Sequence, residues 1–277
     1  MNPLWITQVL AVLRLEMRKT FFSKRGFWIY MVALAPVLLF TGHSIYQMKT
    51  GRPCDFGQDT NIFATTFQIF YVRLAIFFGC VGIFMNLFRG EVLDRSLHYY
   101  FLAPIRREVL LAGKFLAGLI ATSVIFLTST LLQFTGMYLH YGWRVMSDYL
   151  YNGAGISHLI AYLGVTVLAC IGYGSIFLGA GVLFRNPLIC AGTILVWESM
   201  SSFLPSILQK FTVIYYLKSL SPIQIDPHAG EFFSVLSVSA NPMPAYIAVP
   251  GLLLLSAFVL VIASFQVRRM EINYATE

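Results

Sequence analysis

An all-α polytopic membrane protein with six transmembrane helices is the fold class this sequence predicts, and three observations predict it. Of 277 residues, 58% are hydrophobic and only 11% charged, where a soluble globular chain carries about 25% charged residues. Six apolar segments, 27–47, 62–88, 115–140, 158–184, 188–209 and 245–265, each supply the ~20 residues that cross ~30 Å of hydrocarbon. None alternates with period two, so the spans are helices rather than barrel strands. The four cysteines, Cys54, Cys80, Cys170 and Cys190, lack metal-ligand spacing, and three of them sit inside apolar runs. Neither a disulfide framework nor a zinc site is expected. The formal charge of +7 reports orientation in such a chain rather than nucleic-acid binding.

Residues 1–26 come first and are expected to form an amphipathic helix lying in the membrane interface. At 100° per residue Trp5, Val9, Val12, Leu13 and Met17 share one face and Thr7, Arg14, Arg18 and Lys19 lie opposite. Glu16 falls on the apolar side, against the pattern. An ordinary basic flank before the first span is the plainer alternative. No uninterrupted apolar stretch followed by a small-residue cleavage site occurs here, so a signal peptide is not expected. Residues 27–265 then form a single six-span domain, followed by a tail at 266–277. Counting Lys and Arg by connection gives 13 on the side of both termini and 5 on the other. The positive-inside rule therefore places both termini in the cytoplasm.

The connections differ in kind. Only Arg185, Asn186 and Pro187 separate the fourth and fifth segments, which predicts a tight antiparallel hairpin. About 40 residues join the fifth and sixth segments outside. They include Pro205, Pro222, Pro227, Pro242 and Pro244 together with the apolar runs 213–217 and 232–238. Short helices dipping back into the outer leaflet are one reading; a small extracellular cap is the other.

Catalytic motifs are largely missing. Gly113-Lys114 lacks the upstream glycine of a phosphate-cradling loop. The histidines at 43, 98, 140, 158 and 228 are scattered along the sequence. Gly172-Tyr173-Gly174-Ser175 raises an intramembrane serine hydrolase, but Gly164, Gly172, Gly174, Gly179 and Gly181 read more simply as a close-packing face. The most distinctive segment is the cytoplasmic stretch 89–114. Ser96 or Asp94 can cap a short helix that Pro104 stops, and Arg106 or Arg107 starts the next helix into the third span. Apolar tips with flanking charges suit docking into a groove on a cytoplasmic partner.

In this stretch the chain resembles the permease (transmembrane) subunit of type-2 ABC transporters, mostly exporters. Asp94, Arg95, Ser96, Leu97, Leu102, Pro104, Arg106, Glu108, Gly113 and Lys114 follow that family's pattern in order. The amphipathic start, the six spans and the long outer segment agree with its layout. The resemblance implies a coupling segment at 89–108, with the coupling helix at 92–104 and Glu91 beside it, touching a separate cytoplasmic ABC ATPase that holds ATP and Mg. It implies a half-transporter in the plasma (cell inner) membrane, working as a homodimer or with a second permease. A hydrophobic or amphipathic cargo is the expected substrate class, and the chain itself is not expected to be an enzyme. A membrane anchor or assembly subunit without transport, and less readily an intramembrane enzyme, are the alternatives.

Two charges lie deep within the spans. Arg73 is 11 residues from the outer end of 62–88, and Glu198 is 10 from the inner end of 188–209. Both are about 15 Å from a surface, too deep to snorkel easily. Intramembrane charges face a partner or a watery cavity. The two residues are therefore expected to form either an ion pair between the second and fifth spans, or part of a gate or substrate contact.

Overall fold

A computed structural model describes residues 3–22, 27–51, 55–93, 106–184, 186–223 and 243–269. The elements are α1 (Pro3–Phe22), α2 (Phe27–Thr50), α3 (Phe56–Thr66), α4 (Phe77–Cys80), α5 (Asn86–Leu93), α6 (Arg107–Tyr138), α7 (Gly142–Tyr151), α8 (Gly155–Leu183), α9 (Pro187–Ser199), α10 (Ser206–Gln209), α11 (Val213–Leu220) and α12 (Ala245–Arg269). Among the described residues there is no strand. Among the described residues, five helical stretches are long and apolar enough to cross a membrane: Phe27–Thr50, Phe56–Glu91, Arg107–Tyr151, Gly155–Leu183 and Ala245–Arg269. The chain is an all-α polytopic membrane protein.

The remaining segment predicted to span, 188–209, is shorter than expected. Helix α9 has 13 residues, or about 20 Å, two thirds of the hydrocarbon thickness. A 3₁₀ turn at Met200–Phe203 follows, and Pro205 then forces an extended backbone before α10. The chain turns back into α11, whose Val213, Ile214 and Leu217 are fully buried or nearly so. At the other end, Pro187 opens α9 at its first turn, and only 184–186 separate it from α8. One side of α9 leaves an apolar groove of about 520 Å³ against α8 and α12, lined in part by Ile176, Leu183, Ile189 and Ile262.

The second span runs continuously from Phe56 to Leu93 but is not a uniform α-helix. Phe67–Ile76 and Val81–Met85 are π-helical, a wider geometry that is rare and concentrates at functional sites. This span is the centre of the core: Phe63, Phe67, Tyr71, Ile76, Phe77, Phe84 and Phe88 are all fully buried. Aromatic edges meet faces across it, with Phe67 on Tyr162 at 4.6 Å and Phe77 on Phe177 at 4.8 Å between ring centroids, a favourable quadrupole arrangement.

Helix α1 packs along the start of α6. A Cβ on Gly113 would stand 2.9 Å from Val12 Cγ1, so only glycine admits α1 at this distance. Val12 and Glu16 are buried, and Trp5, Val9, Leu13 and Met17 are half-buried on the same side. Arg14 and Lys19 are exposed opposite them, and Thr7 with them. Ile6, Leu10 and Leu15 of the same helix are exposed as well. Of the small residues on α8, Gly174 lies under the Phe84 ring and Gly181 under the Met85 backbone, while Gly164 faces open space.

Candidate functional site: charges along the second span

Three charged residues of the second span, Glu91, Arg73 and Asp59, are buried near its C-terminal end, middle and N-terminal end, and each is held by a different set of elements.

Glu91 belongs to a four-charge network. Lys114 on α6 is completely buried. Its Nζ donates to Glu16 Oε1 at 2.9 Å and to the Leu87 carbonyl at 2.8 Å, and it lies 2.7 Å from Glu91 Oε2. Lys19 donates to Glu91 Oε1 at 3.1 Å. The Lys114 ammonium also stands over the Phe88 ring at 5.3 Å, a favourable cation–π placement. Burial pushes the Glu16 carboxyl up, but Lys114 and then Lys19 outweigh it and hold the group below its usual range. Among the described residues the network pairs two acids with two bases, a balance that makes burial of such groups tolerable. The apparent flaw on the apolar face of α1 is therefore a contact: Glu16 is the arm by which α1 grips α6 and α5.

Glu91, expected at the coupling surface, is 6% exposed and turned inward. Of the other coupling residues, Arg106 precedes α6 as its N-terminal boundary, and its guanidinium lies over the Trp5 ring at 4.9 Å. Glu108 pairs with Arg268 of α12. Between them Arg107 donates to the Val267 and Arg268 carbonyls at 3.2 and 2.9 Å. Asp94, Arg95, Ser96, Leu97, Leu102 and Pro104 lie outside the described residues. Those that are described tie α1, α5, α6 and the end of α12 together around that connection.

In the middle of the span, the structure brings Arg73 and Glu198 together through a backbone atom. Arg73 Nη2 donates to the Glu198 carbonyl oxygen at 3.1 Å. The Glu198 carboxylate is committed elsewhere: Oε1 accepts the Val213 N–H at 2.8 Å and Oε2 the Ile214 N–H at 2.9 Å. The Tyr173 hydroxyl donates to Oε2 at a long 3.4 Å. These are the first two amides of α11, whose unsatisfied donors and dipole favour a negative charge. Glu198 thus closes the turn that carries the chain from α9 back into α11.

Near the N-terminal end of the span, two histidines that are far apart in sequence converge. Asp59 accepts the Tyr141 hydroxyl at 3.0 Å, and its two oxygens lie 3.2 Å from His140 Nε2 and 3.5 Å from His43 Nε2. Ser44 Oγ lies 3.1 Å from His140 Nδ1 and 2.6 Å from the Gly136 carbonyl. Asp59 and His140 are both nearly inaccessible, with side chains 6% and 5% exposed. Spacing gave no sign of this cluster, because its members come from three helices. Among the described residues no group of three or more His, Cys, Asp and Glu side chains is arranged to hold a metal ion. Ser175 is buried, and its hydroxyl donates to the Gly172 carbonyl at 2.8 Å.

Neither any protein-family model nor any curated protein matches the chain.

Proposed function

We propose that this chain is the permease subunit of an ATP-driven type-2 ABC transporter, exporting a hydrophobic or amphipathic substrate with energy from a separate cytoplasmic ATPase. The observation that carries the reading is the buried network of Glu16, Lys19, Glu91 and Lys114. It joins the interfacial helix α1, the inner end of the second span and the start of the third at the two roots of segment 94–105. A device that receives mechanical work needs both roots of the receiving segment clamped to the helices that must move. An anchor protein has no need of a completely buried lysine there. In this reading a displacement of 92–104 reaches the second span through Glu91, and the third through Arg106 and Lys114. The sixth span follows through the contacts of Arg107 and Glu108 with α12.

The finer architecture belongs to the same proposal. Helices α9, α10 and α11 form a fifth, broken span that enters the membrane and returns within it. Both termini are cytoplasmic, in the plasma (cell inner) membrane, and two permease subunits, identical or related, frame the pathway.

The test is purification of the tagged full chain from its native membrane in mild detergent. An ATP-hydrolysing subunit should copurify, and its hydrolysis should respond to the permease. Charge reversal at Asp94 and Arg95, with Glu91 left intact, should release the ATPase while the chain still inserts and melts as before. An unaltered complex after that reversal would remove 92–104 from the interface, and recovery of the chain without any ATPase would remove the transport reading.

A further inference from the structure

Residues 107–151 form a helical stretch of 45 residues, about 68 Å if it ran straight, against ~30 Å of hydrocarbon and ~40–45 Å for a whole bilayer. It does not run straight. The 3₁₀ turn Leu139–Tyr141 leads to Gly142, whose φ of 77° breaks the helical path in a region that glycine enters without steric cost. Beyond it the Tyr149 ring of α7 stands 6.4 Å from that of Phe134, where a straight helix would part them by about 22 Å. Helix α7 therefore folds back over the end of α6. Its Met146, Tyr149 and Leu150 pack against the core, and Tyr149 also meets Phe56, at the start of the second span, at 4.7 Å between ring centroids. At that level the second span is polar and open, with Asp55, Gly57 and Gln58 exposed, so the hydrocarbon ends there.

Helix α7 buries one side and leaves two large rings outside. Trp143 is 79% exposed and Tyr151 75% exposed, and at 100° per residue they stand about 80° apart on the same flank. Arg144 and Asp148, also exposed, lie further round. Rings with an apolar body and one polar atom collect where hydrocarbon meets headgroups. We propose that α7 is a membrane-surface anchor that lies in the interface of the leaflet at this end of the bundle. Its Trp143 and Tyr151 rings sit among the glycerol groups and upper acyl carbons of phospholipid, and Arg144 and Asp148 face headgroups and water. The bilayer is the occupant because α7 cannot leave it. Residues 139–141 tie the helix to one span and 152–154 to the next, so the exposed flank continues the lipid-facing surface of both. Through Tyr149 and Phe56 the anchor also sets the depth at which the second span begins. This contact does not depend on transport.

The experiment uses the full chain with Trp5→Phe, Trp28→Phe and Trp197→Phe, which leaves Trp143 as the single tryptophan. It is reconstituted in liposomes of phosphatidylcholine brominated at successive acyl positions. Quenching should be strongest for bromine nearest the glycerol, placing the ring about 15 Å from the midplane, with blue-shifted emission that aqueous iodide leaves unquenched. Should the triple variant fail to fold, 5-fluorotryptophan in the native chain carries the test, with Trp143→Phe to assign its resonance. A lipid-borne nitroxide should then broaden that line more than an aqueous gadolinium chelate does. Quenching by iodide with no response to brominated lipid, or broadening by the chelate alone, would make α7 a solvent-exposed cap and overturn the proposal. Indifference to both the lipid and the aqueous probe would place a protein neighbour, such as a second copy of this chain, on the rings, and would overturn it equally.

Discussion

Replacing Lys114 with methionine removes the cation that holds both Glu16 and Glu91 while nearly preserving side-chain volume. The two carboxylates it holds are 4% and 8% exposed. Both acid oxygens lie within 3 Å of Nζ, so they are at most ~6 Å apart. At an effective dielectric of about 20 the repulsion released is on the order of 3 kcal/mol. Lys19 remains beside Glu91 and offsets part of it. The chain has one escape, which is to protonate an acid. From an ordinary carboxyl value near 4.5, that costs at most about 3.4 kcal/mol at pH 7, comparable with the repulsion. The expected loss at pH 7 is therefore about 3 kcal/mol, within the range for breaking a buried pair.

Equilibrium unfolding in mixed micelles reads the loss directly, and acidity supplies the control. Each pH unit below 7 lowers the protonation cost by about 1.4 kcal/mol, so the penalty of Lys114→Met should shrink by roughly 2 kcal/mol between pH 7 and 5.5. Adding Glu16→Gln to the variant should recover much of the loss at pH 7, because one acid of the unbalanced pair is gone. A variant that unfolds like the parent at pH 7, or whose penalty is indifferent to pH, would show that the network carries no net coupling between α1 and the second and third spans.

Glu198→Gln keeps one acceptor where the structure uses two, so it should cost about 1–3 kcal/mol. Adding Arg73→Met should recover little, since the guanidinium rests on a carbonyl. A double variant restored to parental unfolding would mean that a direct ion pair dominates. Asp59→Asn, which takes the carboxylate from between His43, His140 and Tyr141, should cost about 1–3 kcal/mol and loosen the C-terminal ends of α2 and α6 in hydrogen exchange; unchanged exchange there would argue against a clasp at Asp59.

Much of the fold was legible because the bilayer is a severe solvent. Five of the six apolar segments correspond to helices that can cross, and Pro187 stands in the first turn of its helix, where its fixed φ and missing N–H are tolerated. The fifth, 188–209, fell short for a reason that local pattern does not contain. Run length reports how far a helix could continue, whereas α9 stops because Glu198 reaches forward to the amides of Val213 and Ile214. Glu16 shows the same limit from the other side. Periodicity compares a residue with its own helix, and its partner Lys114 is 98 positions away. The convergence of His43, Asp59 and His140, and the backbone contact of Arg73, likewise depend on helix pairing that no spacing rule encodes. The π-helical turns had no composition signal at all.

One of those turns, Val81–Met85, separates the Glu91 network from Arg73. A short π-helical turn holds one residue more than the α-helix it interrupts, and the flanking helices keep their register around it. Between Glu91 and Arg73 the second span therefore contains, at Val81–Met85, a place where one residue can leave without rotating either end. Gly82 is the residue to remove, since it takes no side chain from the core. Deleting it should convert the turn to α-helix and keep both Glu91 on Lys114 and Arg73 on the Glu198 carbonyl. Deleting Gly90, which lies in regular α-helix, should swing Glu91 by about 100° and break its contact with Lys114. Lys114→Met provides the readout, since its penalty exists only where the network is intact. It should remain about 3 kcal/mol in the Gly82 deletion and largely vanish in the Gly90 deletion. Equal penalties in both backgrounds would mean that the span carries no such slack, and that its register is set by core packing alone.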